Sequence, residues 1–241
     1  MEKKLANQTA IITGAGTGLG AAIARTLTAE GARCVLAGRG PEPLQAVVAE
    51  IAAAGGMARA IPTDVRDEAQ IEKLVAETVV AFGDVDILVN NAGIFRQAAL
   101  TETTTELWDQ TLNVNLRGAF LLCRAVWPHM VRQGGGQIVN VSSVSGIQAY
   151  ENETAYTASK FGLNGLTAAL ALEGKPHNIR AFAVCPGSVD TPIWDGLAPA
   201  EVMARMMKAD EIAELVLWLV TAPHTLDFGP VVVRNFRDPW G

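Results

Sequence analysis

The run Thr9-Ala10-Ile11-Ile12-Thr13-Gly14-Ala15-Gly16-Thr17-Gly18-Leu19-Gly20 decides how this chain folds. Its first five residues suit a strand buried on both faces. The glycines that follow suit a turn too tight for side chains, and an apolar 3.6-residue period begins at Gly18. In such a unit the turn's backbone N–H groups and the positive end of the helix face one point, which suits pyrophosphate oxygens. Glycines also make plain turns. Placed between the first strand and first helix of an alternating chain, this octet reads as a nucleotide loop.

The alternation continues to the end of the chain. Strand-like runs fall at 9–13, 33–37, 58–62, 86–89, 137–141, 179–184 and 231–234, and helix-like stretches at 18–29, 41–54, 67–82, 105–132, 154–172 and 210–221. Gly55-Gly56 and Gly134-Gly135-Gly136 read as helix stops. The expected fold class is α/β: a doubly wound parallel sheet of about seven strands with helices on both faces. No linker or repeat interrupts it, so residues 1–241 are expected to form a single domain.

Composition narrows the function. The chain has 241 residues, 49% hydrophobic and 18% charged, ample for one buried core. A net charge of -6 lacks the basic footprint of a nucleic-acid binder. Cys34, Cys123 and Cys185 each sit in an apolar run and read as small buried hydrophobes. His129, His177 and His224 are scattered, so no metal site is expected. The polar start, residues 1–8, is unlike a secretory signal, and no apolar stretch approaches the roughly 20 residues of a membrane span. The expectation is a soluble, cytoplasmic protein.

Chemistry enters with Tyr156-Thr157-Ala158-Ser159-Lys160, inside a helix-like stretch where i and i+4 share a face. A phenol titrates near about 10, and a neighbouring ammonium pulls that value down. Lowering it to about 7 takes roughly 4 kcal/mol, at about 1.36 kcal/mol per unit. On spacing alone the pair is a weak signal. It gains meaning from order: Thr13-Gly14-x-x-x-Gly18-x-Gly20, then Asn90-Asn91-Ala92-Gly93, Ser143, Tyr156-x-x-x-Lys160 and Pro186-Gly187. Over nearly its whole length the chain resembles the single-domain short-chain dehydrogenase/reductase family. Its closest generic label there is a 3-oxoacyl-[acyl-carrier-protein] reductase-like enzyme.

The resemblance implies a nicotinamide site built residue by residue. Gly14, Thr17, Gly18, Leu19 and Gly20 would form the phosphate loop. Asp64 and Val65 would contact adenine, and Asn90 or Asn91 with Ala92 and Gly93 the adenine ribose. Pro186, Gly187, Val189 and Thr191 would border the nicotinamide, with Tyr156 and Lys160 at its ribose. Gly38 occupies the place of the NAD-type aspartate, and Arg39 follows it. A guanidinium there suits a 2′-phosphate, which favours NADP(H) over NAD(H). A surface arginine beside a flexible glycine would leave NAD(H) open.

The same resemblance implies a catalytic set of Ser143, Tyr156, Lys160 and Asn115. Ser143 would bind the substrate oxygen, Tyr156 would give the proton, and Lys160 would tune Tyr156. Asn115 would disturb its helix and hold a water near the lysine. The substrate would be a small carbonyl or alcohol. Residues 191–208 correspond to a short substrate lid, where Met203, Met206 and Met207 read as packing rather than pocket. Gln148, Tyr150, Glu151 and Trp194 flank the expected mouth. Glu151 and Glu153 could favour a cationic group but read rather as a solvated loop. The tail after Gly229 departs from the family pattern and suggests burial against a neighbouring subunit or over the site. A homodimer or homotetramer paired through the 105–132 and 154–172 helices is implied. Two other functions use the same fold: a non-catalytic NADP-sensing regulator, and an epimerase or dehydratase with tightly held NAD. Regulators commonly lack the Tyr/Lys pair. The epimerases differ in glycine spacing and carry a longer C-terminal substrate region.

Overall fold

The computed structural model describes residues 3–236. Strand β1, Thr9–Thr13, is buried at all five positions, as its unbroken apolar run requires. It leads to α1 (Gly18–Ala29), β2 (Arg33–Gly38), α2 (Pro41–Ala53), β3 (Met57–Pro62), α3 (Glu68–Phe82) and β4 (Ile87–Asn90). The second half runs through α4 (Thr105–Leu112), α5 (Gly118–Gln133), β5 (Gly136–Val141), α6 (Thr154–Gly174) and β6 (Ile179–Pro186). Short strands β7 (Val189–Asp190) and β8 (Met207–Lys208) pair with each other around α7 (Ala200–Met203). Helix α8 (Ala209–Thr221) and edge strand β9 (Val231–Val233) close the described chain.

Seven strands form one parallel sheet in the order β3-β2-β1-β4-β5-β6-β9. This is a Rossmann-like, doubly wound single domain. Strand order reverses between β1 and β4, and ligands of such sheets bind beyond the carboxyl ends of the strands at that reversal.

Neighbouring residues on each central strand feed opposite faces, as the pleat dictates. Ile12, Leu36, Ile87 and Val139 pack in one core with Ile23 and Leu27 of α1 and Val216 and Leu219 of α8. Ile11, Val35, Leu88 and Ile138 pack in another with Leu74 of α3 and Leu121 and Val126 of α5. Each such side chain contributes about 1.5–3 kcal/mol on full burial. The three cysteines are free and buried, as read. Met206 and Met207 are buried, and Met207 joins the first core.

One expected element differs. The 105–132 stretch is not a single α-helix, because α4 and α5 are joined by a π-helical turn at Asn113–Arg117. There the Gly118 N–H reaches back five residues to the Asn113 carbonyl. Such turns often mark functional sites.

Candidate active site

Two side chains couple the glycine loop to β4. Thr13 Oγ1 accepts from the N–H groups of Asn91 and Ala92, each at 3.0 Å. Asn91 Nδ2 donates to the carbonyls of Thr13 (2.9 Å) and Gly14 (3.2 Å). Gly14 and Gly18 take φ of 63° and 53°, a region that side chains with a Cβ avoid. A Cβ on Gly20 would stand 2.3 Å from the Gly14 carbonyl oxygen, so helix α1 can approach the loop only through a bare backbone. The side chain of Thr191 lies over Gly18, with its Cβ 3.1 Å from where a Gly18 Cβ would be.

The loop forms one end of a cleft of about 1490 Å³. That exceeds the roughly 300–1,000 Å³ of a pocket for one small ligand. Gly14, Thr17, Gly18, Leu19, Arg39, Asp64, Val65, Asn91, Ala92 and Gly93 line it, as do Ser143, Tyr156, Lys160, Pro186, Gly187, Val189 and Thr191. Three expected residues stand behind its wall. Gly20 packs beneath the loop, Asn90 donates to Asn140 Oδ1 at 2.8 Å, and Asn115 is buried in the layer beyond.

Beyond the end of β3, Asp64 is held by Arg66 through its guanidinium, with Nη2 to Oδ2 at 2.5 Å. The hydrogen bond from Arg66 lowers the Asp64 pKa most, and Arg39 adds a smaller charge effect. Arg39 itself forms no salt bridge among the described residues.

At the other end, α6 carries Tyr156 and Lys160 on its inner face, 8% and 4% exposed. Lys160 Nζ donates to the Val141 carbonyl at 2.9 Å and stands 5.6 Å from the centre of the Tyr156 ring. Burial pushes the phenol up to about 12, and a hydrogen bond with Ser143 only partly opposes it. Burial draws the lysine down to about 8. Burial thus works against the lowering of the phenol expected from Lys160. The same desolvation that raises Tyr156 weakens the cation meant to lower it.

Asn115, on the π turn, spends its amide within the protein. Its Oδ1 accepts from the Ile94 N–H at 2.8 Å, and its Nδ2 donates to the Ile94 carbonyl and to Ser159 Oγ, at 3.0 and 3.1 Å. Ser159 Oγ donates to the Tyr156 carbonyl at 2.7 Å. Asn115 therefore ties the segment after β4 to the helix that bears the tyrosine.

Glu153 departs from the solvated loop read for it. It is 8% exposed and accepts from Ser145 Oγ at 2.8 Å. Burial raises its pKa against opposing hydrogen bonds from Ser145 and Gln97. Phe95 went unread altogether. Its ring meets Tyr156 edge-on at 4.8 Å and Trp194 at 5.3 Å, making an apolar wall beside the phenol. The only sequence signal for it was its place two residues beyond Asn91-Ala92-Gly93.

Among the described residues, no three His, Cys, Asp or Glu side chains group as a metal site, and no helix is long and apolar enough to cross a membrane.

Known proteins are similar to this chain in sequence and in fold. Residues 8–201 match the short chain dehydrogenase family. An uncharacterized oxidoreductase of Staphylococcus aureus (strain USA300) is 32% identical over 95% of this chain and 98% of its own. The 3-oxoacyl-[acyl-carrier-protein] reductase of Thermotoga maritima is 36% identical over 95% of this chain and 96% of its own. The crystal structure of a metagenomic short-chain oxidoreductase in complex with NADP superposes with a TM-score of 0.85 at 39% identity, covering 96% of this chain and 98% of that one. The chain belongs to the short-chain dehydrogenase family of oxidoreductases.

Proposed function

We propose that the protein is an NADP(H)-dependent reductase of a small-molecule carbonyl, or dehydrogenase of the matching secondary alcohol, with Ser143, Tyr156, Lys160 and Asn115 as its working set. One observation carries the reading. A single cleft has the glycine loop, with Gly14, Gly16 and Gly18, at one end and half-buried Ser143 with buried Tyr156 and Lys160 at the other. The cradle residues fit a dinucleotide. Gly14, Thr17, Gly18 and Leu19 would hold its pyrophosphate, with Thr191 closing over them. Arg39 would take a 2′-phosphate, because Arg66 already occupies the nearby Asp64 carboxylate. Pro186, Gly187 and Val189 would border the nicotinamide. The NADP bound by the metagenomic relative supports the same preference.

When bound, a nicotinamide cofactor supplies or accepts the hydride. The protein's residues do the rest. Ser143 Oγ holds the substrate oxygen where charge develops. Tyr156, protonated at neutral pH, donates its proton to that oxygen. Lys160, anchored on Val141, stands beside the ring to restore the proton and to bond the ribose. Asn115 keeps α6 in place through Ser159. In oxidation Tyr156 takes the proton instead.

The test is a panel of ketones, acyl thioesters, sugars and steroids, followed by nicotinamide absorbance with both cofactors. Tyr156→Phe loses about 10²–10⁴-fold in turnover, the range of a general acid, while NADPH still binds. Undiminished turnover by that variant rejects the mechanism.

A further inference from the structure

We propose that Arg234 is the anchor for a carboxylate on the substrate, so that the protein acts on oxo acids or hydroxy acids. This rests on the nicotinamide and proton-donor positions proposed above. The residue comes from the tail that departs from the family pattern. Strand β9 pairs in parallel with β6, Val233 opposite Pro186, and the Gly187 N–H donates to the Val233 carbonyl at 2.8 Å. That pairing delivers the next residue, Arg234, to the carboxyl end of the sheet. Its Cα lies 3.9 Å from where a Cβ on Gly187 would stand. The side chain then crosses to the loop between Ser143 and Tyr156, where Nη2 donates to Gln148 Oε1 at 3.1 Å. Gln148 is held in turn by donating from Nε2 to the Tyr150 hydroxyl at 2.7 Å. The guanidinium thus spans the cleft from its nicotinamide wall to its tyrosine wall.

Its charge is not spent within the protein. Arg234 lines the cleft and forms no salt bridge among the described residues. The neighbouring acids do not cancel it. Glu153 is committed to Ser145 and Gln97. Glu151 and Asp195, exposed like Arg234 itself, line the same cleft and form no salt bridge with it among the described residues. Arg96, whose Nη1 donates to the Phe95 carbonyl, adds a second positive charge there. A guanidinium presents a planar fork that matches a carboxylate through two parallel hydrogen bonds.

The probes are 2-, 3- and 4-oxopentanoate and their methyl esters, assayed with NADPH on wild type, Arg234→Gln and Arg234→Lys. Wild type prefers at least one acid over its ester. Arg234→Gln lowers the acid-to-ester ratio of kcat/KM by about 10–100-fold, the size of a charge-assisted contact. The loss falls mainly in KM, and Arg234→Lys restores part of it. Binding of unreactive pentanoate and methyl pentanoate to the NADP+-loaded protein, read by tryptophan fluorescence, tests the anchor without turnover. A wild type that turns over no carbonyl yet binds pentanoate in preference to its ester rejects the reaction and keeps the anchor. A wild type without acid preference in either assay, or an Arg234→Gln ratio equal to wild type, overturns the proposal.

Discussion

Lys160 is 4% exposed, and burial draws its amine down to about 8 from the ordinary lysine range. In the unfolded chain the amine titrates near about 10.4. Between those values the unfolded state binds the extra proton, so stability rises with pH from about 8 to about 10. Below pH 8 both states are charged, and the folded protein carries the full cost of burying an ammonium. Urea melts of wild type and Lys160→Met therefore converge with rising pH: the variant's advantage at pH 7 shrinks by roughly 3 kcal/mol at pH 10.5. Tyr156, pushed up to about 12, has the opposite sign. Its unfolded phenol ionises first, so it removes stability as pH climbs from about 10 to about 12. In the proposed reaction the phenol would stay a proton donor throughout the neutral range. Reduction is expected to decline above about pH 8 as Lys160 discharges, seen as a descending limb in kcat/KM that moves in Lys160→Arg. Arg39 answers a different question. Arg39→Ala weakens NADPH by about 1–3 kcal/mol, as for a charged contact, and leaves NADH binding nearly unchanged. Equal loss for both cofactors removes Arg39 from the phosphate site. The sequence named Tyr156, Lys160 and Arg39 because their spacing and order are chemical signals. It misplaced Glu153, because an acid in a polar loop carries no local sign that Ser145 and Gln97 fold over it.

The glycine loop shows how one element depends on another. Gly20→Ala would drive a methyl group to 2.3 Å from the Gly14 oxygen, so loop and helix must part. Its expected outcome is a loss of NADPH affinity of at least about tenfold, roughly 1.4 kcal/mol. Far-ultraviolet circular dichroism should remain near wild type, because the sheet core lies below the loop. Strands β1, β2 and β4 and the helices of the first half were legible because strands buried on both faces are largely apolar throughout and helices are not. The π turn at Asn113–Arg117 was not legible as structure. Side-chain periodicity reports which face is buried, and it is nearly blind to whether one N–H bonds four or five residues back. Only the resemblance hinted that Asn115 disturbs its helix.

On the scale of the whole molecule, cofactor binding and folding are one equilibrium. NADPH at 100 times its dissociation constant adds about 2.7 kcal/mol to stability. For a chain of this size that raises Tm by about 5–10 °C, measurable by thermal shift. Subunit association is a second global property. Phe120 on α5 and Phe161 and Leu172 on α6 are 43%, 45% and 68% exposed. We infer a homodimer or homotetramer that covers them. Sedimentation of wild type should give more than a monomer, and Phe161→Glu should shift it toward one. Of the tail, the sequence foresaw a strand but not its register, which depends on β6 nearly fifty residues earlier. Residues 237–241, also part of the tail expected to be buried, lie outside the described residues.

The hydrogen bond between Thr13 and Asn91 joins residues 78 apart. Closing so long a span costs chain entropy before the contact rewards it. A nascent chain on the ribosome carries the glycine motif before it carries the site proposed for a phosphate. The loop gains its shape only once β4 has been made and has slotted beside β1. A fragment ending before β4 should keep the whole glycine sequence and still fail to retain NADPH.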